Sequence, residues 1–189
     1  MLPRSSASSL FLLPADSSSI SRDRVLALLV QVGFIGKNEL GLNQFLPGLE
    51  YFQLMTYLGC SPVINPLPGE ETQIYISPVF TEPVVLLGRN AKSPKCRSCG
   101  QSLLDVSTLD TTLPAQSACL HCGKAWRVTD TTWRGQAAIC QFFIQVTEIY
   151  PHEALPTDQL LEALAQCAGG TPWRVIYCEQ PRVIRVLEF

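Results

Sequence analysis

The chain has 189 residues, of which 47% are hydrophobic and 16% charged, and its formal net charge is −2 at pH 7. This composition excludes an extensively disordered chain and predicts one main core with room for a smaller unit. So small a net charge does not indicate any class of partner.

Residues 1–20 are rich in serine and contain one short apolar run, LFLLP. A secretory signal needs an apolar core of about 7 to 15 residues, and this run does not supply one. The next apolar stretch, residues 25–35, is shorter than the roughly 18 residues that a membrane span requires. We therefore expect a flexible tail over residues 1–20 and a soluble, cytoplasmic protein that does not contact a membrane.

Two helices are predicted in the first half of the chain. Ser21 is a suitable N-cap for the first helix, which has Gly33 near its end. The apolar stripe of this helix comprises Val25, Leu28, Leu29 and Val32. The second helix is predicted to start at Pro47 and to end at Gly59. Its stripe comprises Tyr51, Leu54, Met55 and Leu58.

Proline then divides the chain into short segments. Residues 61–71 contain three prolines and a glycine, which excludes a regular element there. The segments TQIYISPVF (72–80) and PVVLLG (83–88) are rich in β-branched residues and bounded by proline, which predicts strands or edge strands.

The C-terminal part predicts a strand, a helix and two further strands. Residues 139–147 alternate as in a strand with one mainly buried face. Thr157 is a suitable cap for a helix that ends at Gly169 and Gly170. Strands follow at 173–178 and 182–189, so we expect a right-handed βαβ unit and then a hairpin. The predicted fold is an α+β body, with a mixed sheet and packed helices, over residues 21–88 and 137–189.

Residues 89–136 differ from the body in composition, which predicts an inserted module. Between residues 89 and 135 seven Lys and Arg residues face three Asp residues, a local charge of +4. A basic patch on an acidic protein attracts anionic surfaces, either nucleic acid or an acidic protein face. Charge that only keeps the module soluble is the alternative.

Four cysteines in this insert have the spacing of a metal site. The pairs Cys96–Cys99 and Cys119–Cys122 are each C-x2-C, and 19 residues separate the pairs. A hairpin of that length brings both turns together, so that four thiolates surround one ion. Soft sulfur ligands in tetrahedral geometry favour zinc, with iron as the rival metal. A pair of redox-active CxxC motifs is the alternative reading.

The two CxxCG motifs resemble the knuckles of a zinc ribbon, over residues 95–128. Gly100 and Gly123 follow the second cysteine of each pair, where a positive φ lets backbone N–H groups point at the sulfurs. The resemblance implies one structural zinc ion, because four sulfur ligands leave no open position for substrate or water. It does not indicate a function, since ribbons occur in many classes of protein.

The other cysteines and the histidines are weaker candidates. His121 lies between two ligands of a complete set, so we do not expect it to bind the metal. Cys140, Cys167 and Cys178 lie in apolar segments and are expected to be buried free thiols. Cys60 and His152 are the residues whose roles stay open. No nucleophile, phosphate-loop or dinucleotide motif is present, so we expect no enzyme activity and no small-molecule substrate.

We therefore expect a non-catalytic adaptor or accessory subunit that docks a protein partner through the ribbon or the body. The alternative is nucleic-acid binding by the basic ribbon, supported by its tryptophans. The residues expected to contact a nucleic acid or a partner are Arg97, Lys124, Trp126, Arg127 and Arg134. If nucleic acid is the ligand, the basic residues share one face, whereas a large exposed apolar patch off the ribbon favours a protein. Metal removal is expected to unfold residues 90–136, because no core holds the module.

Overall fold

The computed structural model describes residues 8–41, 43–58 and 71–187. Its strands in the first part are β1 (Ser8–Pro14), β2 (Ile35–Gly41), β3 (Gln44–Pro47), β4 (Met55–Tyr57), β5 (Ile74–Ile76) and β6 (Val84–Leu87). The strands that follow are β7 (Thr112–Pro114), β8 (Gln116–Ala118), β9 (Ala125–Arg127), β10 (Ala137–Cys140), β11 (Ile144–Thr147), β12 (Ala154–Pro156), β13 (Trp173–Glu179) and β14 (Arg182–Leu187). The α-helices are α1 (Arg22–Gln31), α2 (Tyr51–Leu54) and α3 (Asp158–Cys167).

The described chain is rich in sheet. One six-stranded sheet has the order β13-β1-β11-β5-β3-β2, and a four-stranded sheet has the order β10-β6-β14-β7. The four-stranded sheet is mixed, because β7 pairs with β14 in parallel while the other pairs are antiparallel. Two small two-stranded sheets, β12-β4 and β8-β9, complete the set.

Three layers of apolar side chains hold these elements together. On one face of the six-stranded sheet, Leu10, Leu12 and Ile144 pack with Leu29 of α1 and Leu164 of α3. Alternate residues of the same strands point to the opposite face, where Phe11 and Leu13 pack against the four-stranded sheet. The far face of the four-stranded sheet then packs against residues of the insert. The order of layers is helices, first sheet, second sheet and insert.

The expected flexible tail is wrong for residues 8–14. These residues form β1, every residue of which is buried, at an interior position of the six-stranded sheet. The strand pairs with β13 over its whole length and with β11 over four residues. The run LFLLP is too short for a signal core, but it is long enough for a strand that is buried on both faces.

The predicted helix between Pro47 and Gly59 is also wrong. Its apolar stripe shows helical spacing, yet only the single turn α2 forms, after which the chain enters β4. Pro47 belongs to β3, and the Gly48 N–H donates to the carbonyl of Phe34 at 2.9 Å. From Met55 onward the backbone pairs with β12, so tertiary pairing overrides the local pattern. Gly59 lies outside the described residues, as do residues 61–70 of the proline-rich segment.

Two other predictions for the C-terminal part need correction. Residues 139–147 are not one strand, because the chain leaves the four-stranded sheet after Cys140 and enters the six-stranded sheet at Ile144. The expected final hairpin is absent from the described residues, since β13 pairs with β1 while β14 pairs with β6 and β7. The βαβ unit is split, because β1 lies between β11 and β13.

The predictions of α1, α3 and the strands β5 and β6 are confirmed. The Thr157 side chain caps α3 by accepting a hydrogen bond from the Leu160 N–H at 3.4 Å. Ser21 occupies the N-cap position of α1, but its side chain makes no capping hydrogen bond. Both β5 and β6 are interior strands of their sheets. None of the described helices is long and apolar enough to cross a membrane.

Candidate metal centre

Two tight turns with the same backbone pattern carry the four cysteines. In the first turn the Gly100 N–H donates to the Cys96 carbonyl at 2.9 Å, and in the second the Gly123 N–H donates to the Cys119 carbonyl at 2.8 Å. Gly100 has φ +73 and Gly123 has φ +70, as the motif predicts. An added Cβ at either glycine meets no atom within 4 Å, so the backbone conformation is what requires glycine.

The antiparallel pairing of β8 with β9 closes the second turn, and a bridge between Lys95 and Ser102 closes the first. Each turn is also tied at its base, because the Cys96 N–H donates to Gln101 and the Cys119 N–H donates to Lys124. The two turns therefore present their thiols on rigid frames. In the sequence, the spacing and the two glycines were the signals for this geometry.

The four sulfur atoms converge on one point. They all lie within 4.8 Å of one another, with 3.8 Å between the sulfurs of Cys96 and Cys122 and 3.7 Å between those of Cys99 and Cys119. A tetrahedral ion with metal–sulfur bonds of about 2.3 Å places its ligands about 3.8 Å apart. The cluster therefore has the dimensions of a metal site, and none of these cysteines forms a disulfide.

Hydrogen bonds within the turns prepare two of the thiols as ligands. Backbone N–H groups of Cys99 and Ser98 lower the pKa of Cys96 to about 6. Those of Cys122 and His121 lower the pKa of Cys119 in the same way. A thiol must lose its proton before it binds a metal, so these bonds favour metal binding near neutral pH.

Cys99 behaves in the opposite way when no ion is bound. The Gln101 N–H lowers the pKa of its thiol, but partial desolvation of the sulfur and hydrogen bonds to the other three sulfurs outweigh that effect and raise the pKa to about 12. Four thiolates at these distances repel one another. A divalent cation is therefore what allows all four to ionise together, and zinc fits this all-sulfur donor set.

Two of the four cysteine ligands are buried and two are exposed, and together they leave no open coordination position. Cys96 and Cys119 are buried, whereas Cys99 and Cys122 are exposed at the surface of the turns. Four protein ligands fill a tetrahedron, so an ion held here has no position for substrate or water. The arrangement supports a structural role for the metal. His121 is exposed and is not a member of the cluster.

Three of the four predicted basic residues lie around one cleft beside the metal site. This knuckle groove has a volume of about 270 Å³, and its lining includes Lys95, Arg97, Lys124, Trp126, Arg127 and Asp130. Arg134 is not in the lining. Its backbone forms an isolated antiparallel β-bridge with that of Lys92. The Trp126 indole N–H is buried without a hydrogen-bond partner among the described residues, and the Trp133 indole donates to the Val128 carbonyl.

The metal changes the electrostatics of the knuckle groove. The four cations contribute +4 and Asp130 contributes −1, while four thiolates with a divalent ion contribute −2, which leaves a local charge of +1. With a divalent ion bound, the metal centre and Asp130 together offset most of the positive charge around the groove. The sequence does not reveal this, because its formal charge counts the cysteines as neutral.

The expectation that no core holds the insert is wrong. The insert residues Leu113 and Val128 are buried in one cluster with Val85 and Ile184 of the body. The β7 strand of the insert pairs with β14, and the Arg182 guanidinium donates to the Leu109 carbonyl at 2.9 Å. Only the knuckles themselves, at residues 94–103 and 116–127, depend on a small cluster around two of the metal ligands.

The remaining sequence candidates lie away from the metal site. Cys140 and Cys178 are buried free thiols, as predicted, and Cys167 is half-buried on α3. His152 is exposed at φ +64, and its ring packs 5.3 Å from the ring of Tyr177. Cys60 lies outside the described residues.

Sequence reasoning missed an exposed apolar surface on the body. Leu49, Phe52, Leu58 and Leu155 are 95%, 55%, 53% and 38% exposed, and we call them the Phe52 surface. They belong to adjacent segments, because β4 pairs with β12 and the Leu58 N–H donates to Glu153. The available signal was Phe52 itself, an aromatic residue placed off the apolar stripe of the predicted helix.

No protein-family model matches the chain, and the comparisons with curated proteins and with solved structures likewise find no match. The likeness to a zinc ribbon therefore stands on the two knuckles and their sulfur geometry.

Proposed function

We propose that the chain is a zinc-binding, non-catalytic adaptor or accessory subunit that docks a protein partner through its body. The observation that carries this proposal is the Phe52 surface, which lies off the ribbon. Four exposed apolar side chains on adjacent segments differ from the single exposed apolar residues of an ordinary protein surface and are typical of an interaction site. The structural zinc ion then has the separate role of folding the knuckles.

Phe52 is suited to anchor such a contact. Its ring lies 5.3 Å from that of Tyr51 and 6.1 Å from that of Tyr57, and the Tyr57 hydroxyl lies 3.3 Å from the Tyr51 hydroxyl. Tyr51 is fully buried, so the exposed ring is held on a fixed base. Aromatic anchors that need little ordering contribute most to protein interfaces. The partner is expected to offer an apolar face that receives this ring.

Site-specific crosslinking tests the proposal. A photoreactive phenylalanine analogue replaces Phe52 in one variant and Val79, an exposed residue elsewhere, in the matched control. We expect position 52 to crosslink to one recurrent protein and position 79 not to do so, with loss of the product in the Leu49→Ser variant. Equal labelling at both positions, or crosslinks only to a second copy of this chain, would contradict the proposal.

Nucleic-acid binding is the second candidate, because four cations and Trp126 line the same groove. The local charge of +1 with metal bound argues that few phosphates are neutralised there. Anisotropy of a labelled single-stranded RNA or DNA, titrated at two salt concentrations, tests this candidate. Binding that weakens steeply with salt and is lost in the Arg97→Gln/Arg127→Gln variant would favour nucleic acid over a protein partner.

A further inference from the structure

A second cleft opens at one edge of the contact between the two large sheets. Its volume is about 460 Å³, larger than that of the knuckle groove. Its apolar lining consists of Tyr75, Pro78, Phe80, Phe143 and Val183. Small-molecule sites have volumes of this order and apolar walls with a few polar groups. The cysteine ligands are not part of this lining.

The aromatic wall of this cleft is held in place before any ligand binds. Phe80 stacks on Phe143 with ring centroids 6.1 Å apart and an interplanar angle of 23°, and Tyr75 lies 5.9 Å from Phe143. The backbone of Phe80 is fixed, because its N–H donates to the Gln141 carbonyl at 2.8 Å. The Gln141 amide in turn donates to the Thr81 carbonyl at 3.0 Å. A half-exposed ring is thus kept at the surface on a rigid segment.

The polar lining comes from the two strands at the edge of the second sheet. It consists of Thr111, Thr112 and Arg185, and the lining contains no acidic residue. Thr112 and Arg185 are partners in the parallel pairing of β7 with β14, and the Arg185 N–H donates to the Thr111 carbonyl at 2.8 Å. The guanidinium of Arg185 makes no ion pair with any residue that the structure describes, and its side chain is exposed.

The alternation of side chains between the two faces of β14 explains why the cleft is polar on one side. Val183 and Arg185 point to the same face of β14, the face that packs between the sheets. Val183 joins the apolar layer there, while Arg185, two residues further along, lies where the layer ends. A cation at the margin of an apolar layer is costly to bury without a partner, so it remains available at the mouth of the cleft.

We propose that this cleft binds a small organic carboxylate with a planar aromatic body. The half-exposed ring of Phe80, backed by Phe143, offers a surface for stacking. The Arg185 guanidinium matches a carboxylate through two parallel hydrogen bonds, and the threonine hydroxyls supply further donors. A single cation suits a monoanion better than a doubly charged phosphate. The proposal does not depend on the metal site or on the Phe52 surface.

Titration calorimetry with 2-naphthoate tests the proposal, with the neutral 2-naphthalenemethanol as the matched ligand. We expect the carboxylate to bind about tenfold or more tightly than the alcohol, because only the carboxylate forms charge-assisted hydrogen bonds with the guanidinium. The Arg185→Gln variant should lose that difference, and Arg24→Gln, which removes an exposed arginine of α1, should keep it.

A second set of measurements separates loss of the site from loss of the fold. Thr112→Val should weaken naphthoate binding severalfold. The Arg185→Gln and Thr112→Val variants should both retain the circular dichroism and melting temperature of the parent chain. Nuclear magnetic resonance shifts on naphthoate addition should map to residues 75–80 and 183–185. The proposal is overturned if naphthoate does not bind at millimolar concentration, if Arg185→Gln binds it equally well, or if the shifts lie elsewhere.

Discussion

The body and the knuckles of this chain are stabilised by different means. In the body, side chains such as Leu12 and Phe143 are fully buried in continuous apolar layers. In the knuckles the buried cluster comprises only Cys96, Leu103 and Cys119, with half-buried Trp126 beside it. So little apolar area does not offset the entropy of ordering two turns, and we therefore expect a bound metal to supply the remainder. The difference predicts that the two regions fail under different treatments.

The largest expected effect follows metal removal. Chelation, or the Cys119→Ser/Cys122→Ser variant, should abolish the ordered knuckles, because binding of a structural zinc contributes on the order of 10 kcal/mol to folding. Hydrogen exchange should rise at the Gly100 and Gly123 amides, which are bonded within the turns. The Val85 and Val186 amides in the four-stranded sheet serve as the internal control and should stay protected. Loss of protection across that sheet would show that the two regions are not separable.

A large effect confined to the body is expected from Phe143→Ala. Its ring is fully buried and packs on the rings of Phe11 at 5.5 Å and Tyr75 at 5.9 Å. Removing it should lower the free energy of unfolding by about 3 to 5 kcal/mol through lost burial and the cavity left behind. Urea unfolding of the metal-bound chain measures the loss. The metal content should be unchanged. A variant that folds but loses its metal would show that the knuckles depend on the packing of the body.

The thiols of the two regions should differ in their dependence on pH. Burial raises the pKa of Cys140 and of Cys178 from 9.0 to about 12, so the folded state favours their protonated forms. Their contribution to stability is complete below pH 9 and is lost as the pH rises from 9 toward 12. In the folded knuckles the effect has the opposite sign, because backbone N–H groups of Cys99 and Ser98 lower the pKa of Cys96 to about 6.

Alkylation with iodoacetamide at pH 7, read by mass spectrometry, measures this difference. Cys96 and Cys119 should react in the metal-free chain and be protected by zinc, while Cys140 and Cys178 should remain unmodified in both states. The Cys140→Ala/Cys178→Ala variant is the control for alkaline unfolding and should lose less stability above pH 9 than the parent. Equal loss in both chains would contradict the assignment to these thiols.

The smallest expected effect compares two helix caps. Thr157→Ala should lower stability by about 1 kcal/mol, because the hydroxyl that accepts the Leu160 N–H is lost. Ser21→Ala should cost less, since the Ser21 side chain makes no capping hydrogen bond. Thermal unfolding of the two variants under identical conditions measures the difference. Equal losses would show that the observed bond does not stabilise α3.

The sequence predicted the features that depend on local chemistry. The metal ligands follow from the spacing of Cys96, Cys99, Cys119 and Cys122, and the positive φ of Gly100 and Gly123 follows from their place in the turns. The cap of α3 at Thr157 was equally readable, because capping needs only the neighbouring backbone. Such interactions are complete within a few residues.

Features that depend on distant partners were missed. The residues of β1 resemble a tail in the sequence, because serines flank them and their pairing strands lie more than 130 residues away in the chain. The stripe at Tyr51 and Leu54 fits a helix, yet pairing of β4 with β12 decides the structure. The contact of the insert with the four-stranded sheet was not predicted for the same reason, since neither segment carries a local sequence signal of a distant packing partner.

The metal content of the chain decides whether Cys96, Cys99, Cys119 and Cys122 form a metal centre. The chain is purified under reducing conditions, and its metal is measured by elemental analysis and by X-ray absorption at the metal edge. We expect one ion per chain, bound by four sulfur atoms at about 2.3 Å. A folded chain with only trace metal, or an ion with oxygen or nitrogen ligands in place of sulfur, would contradict it.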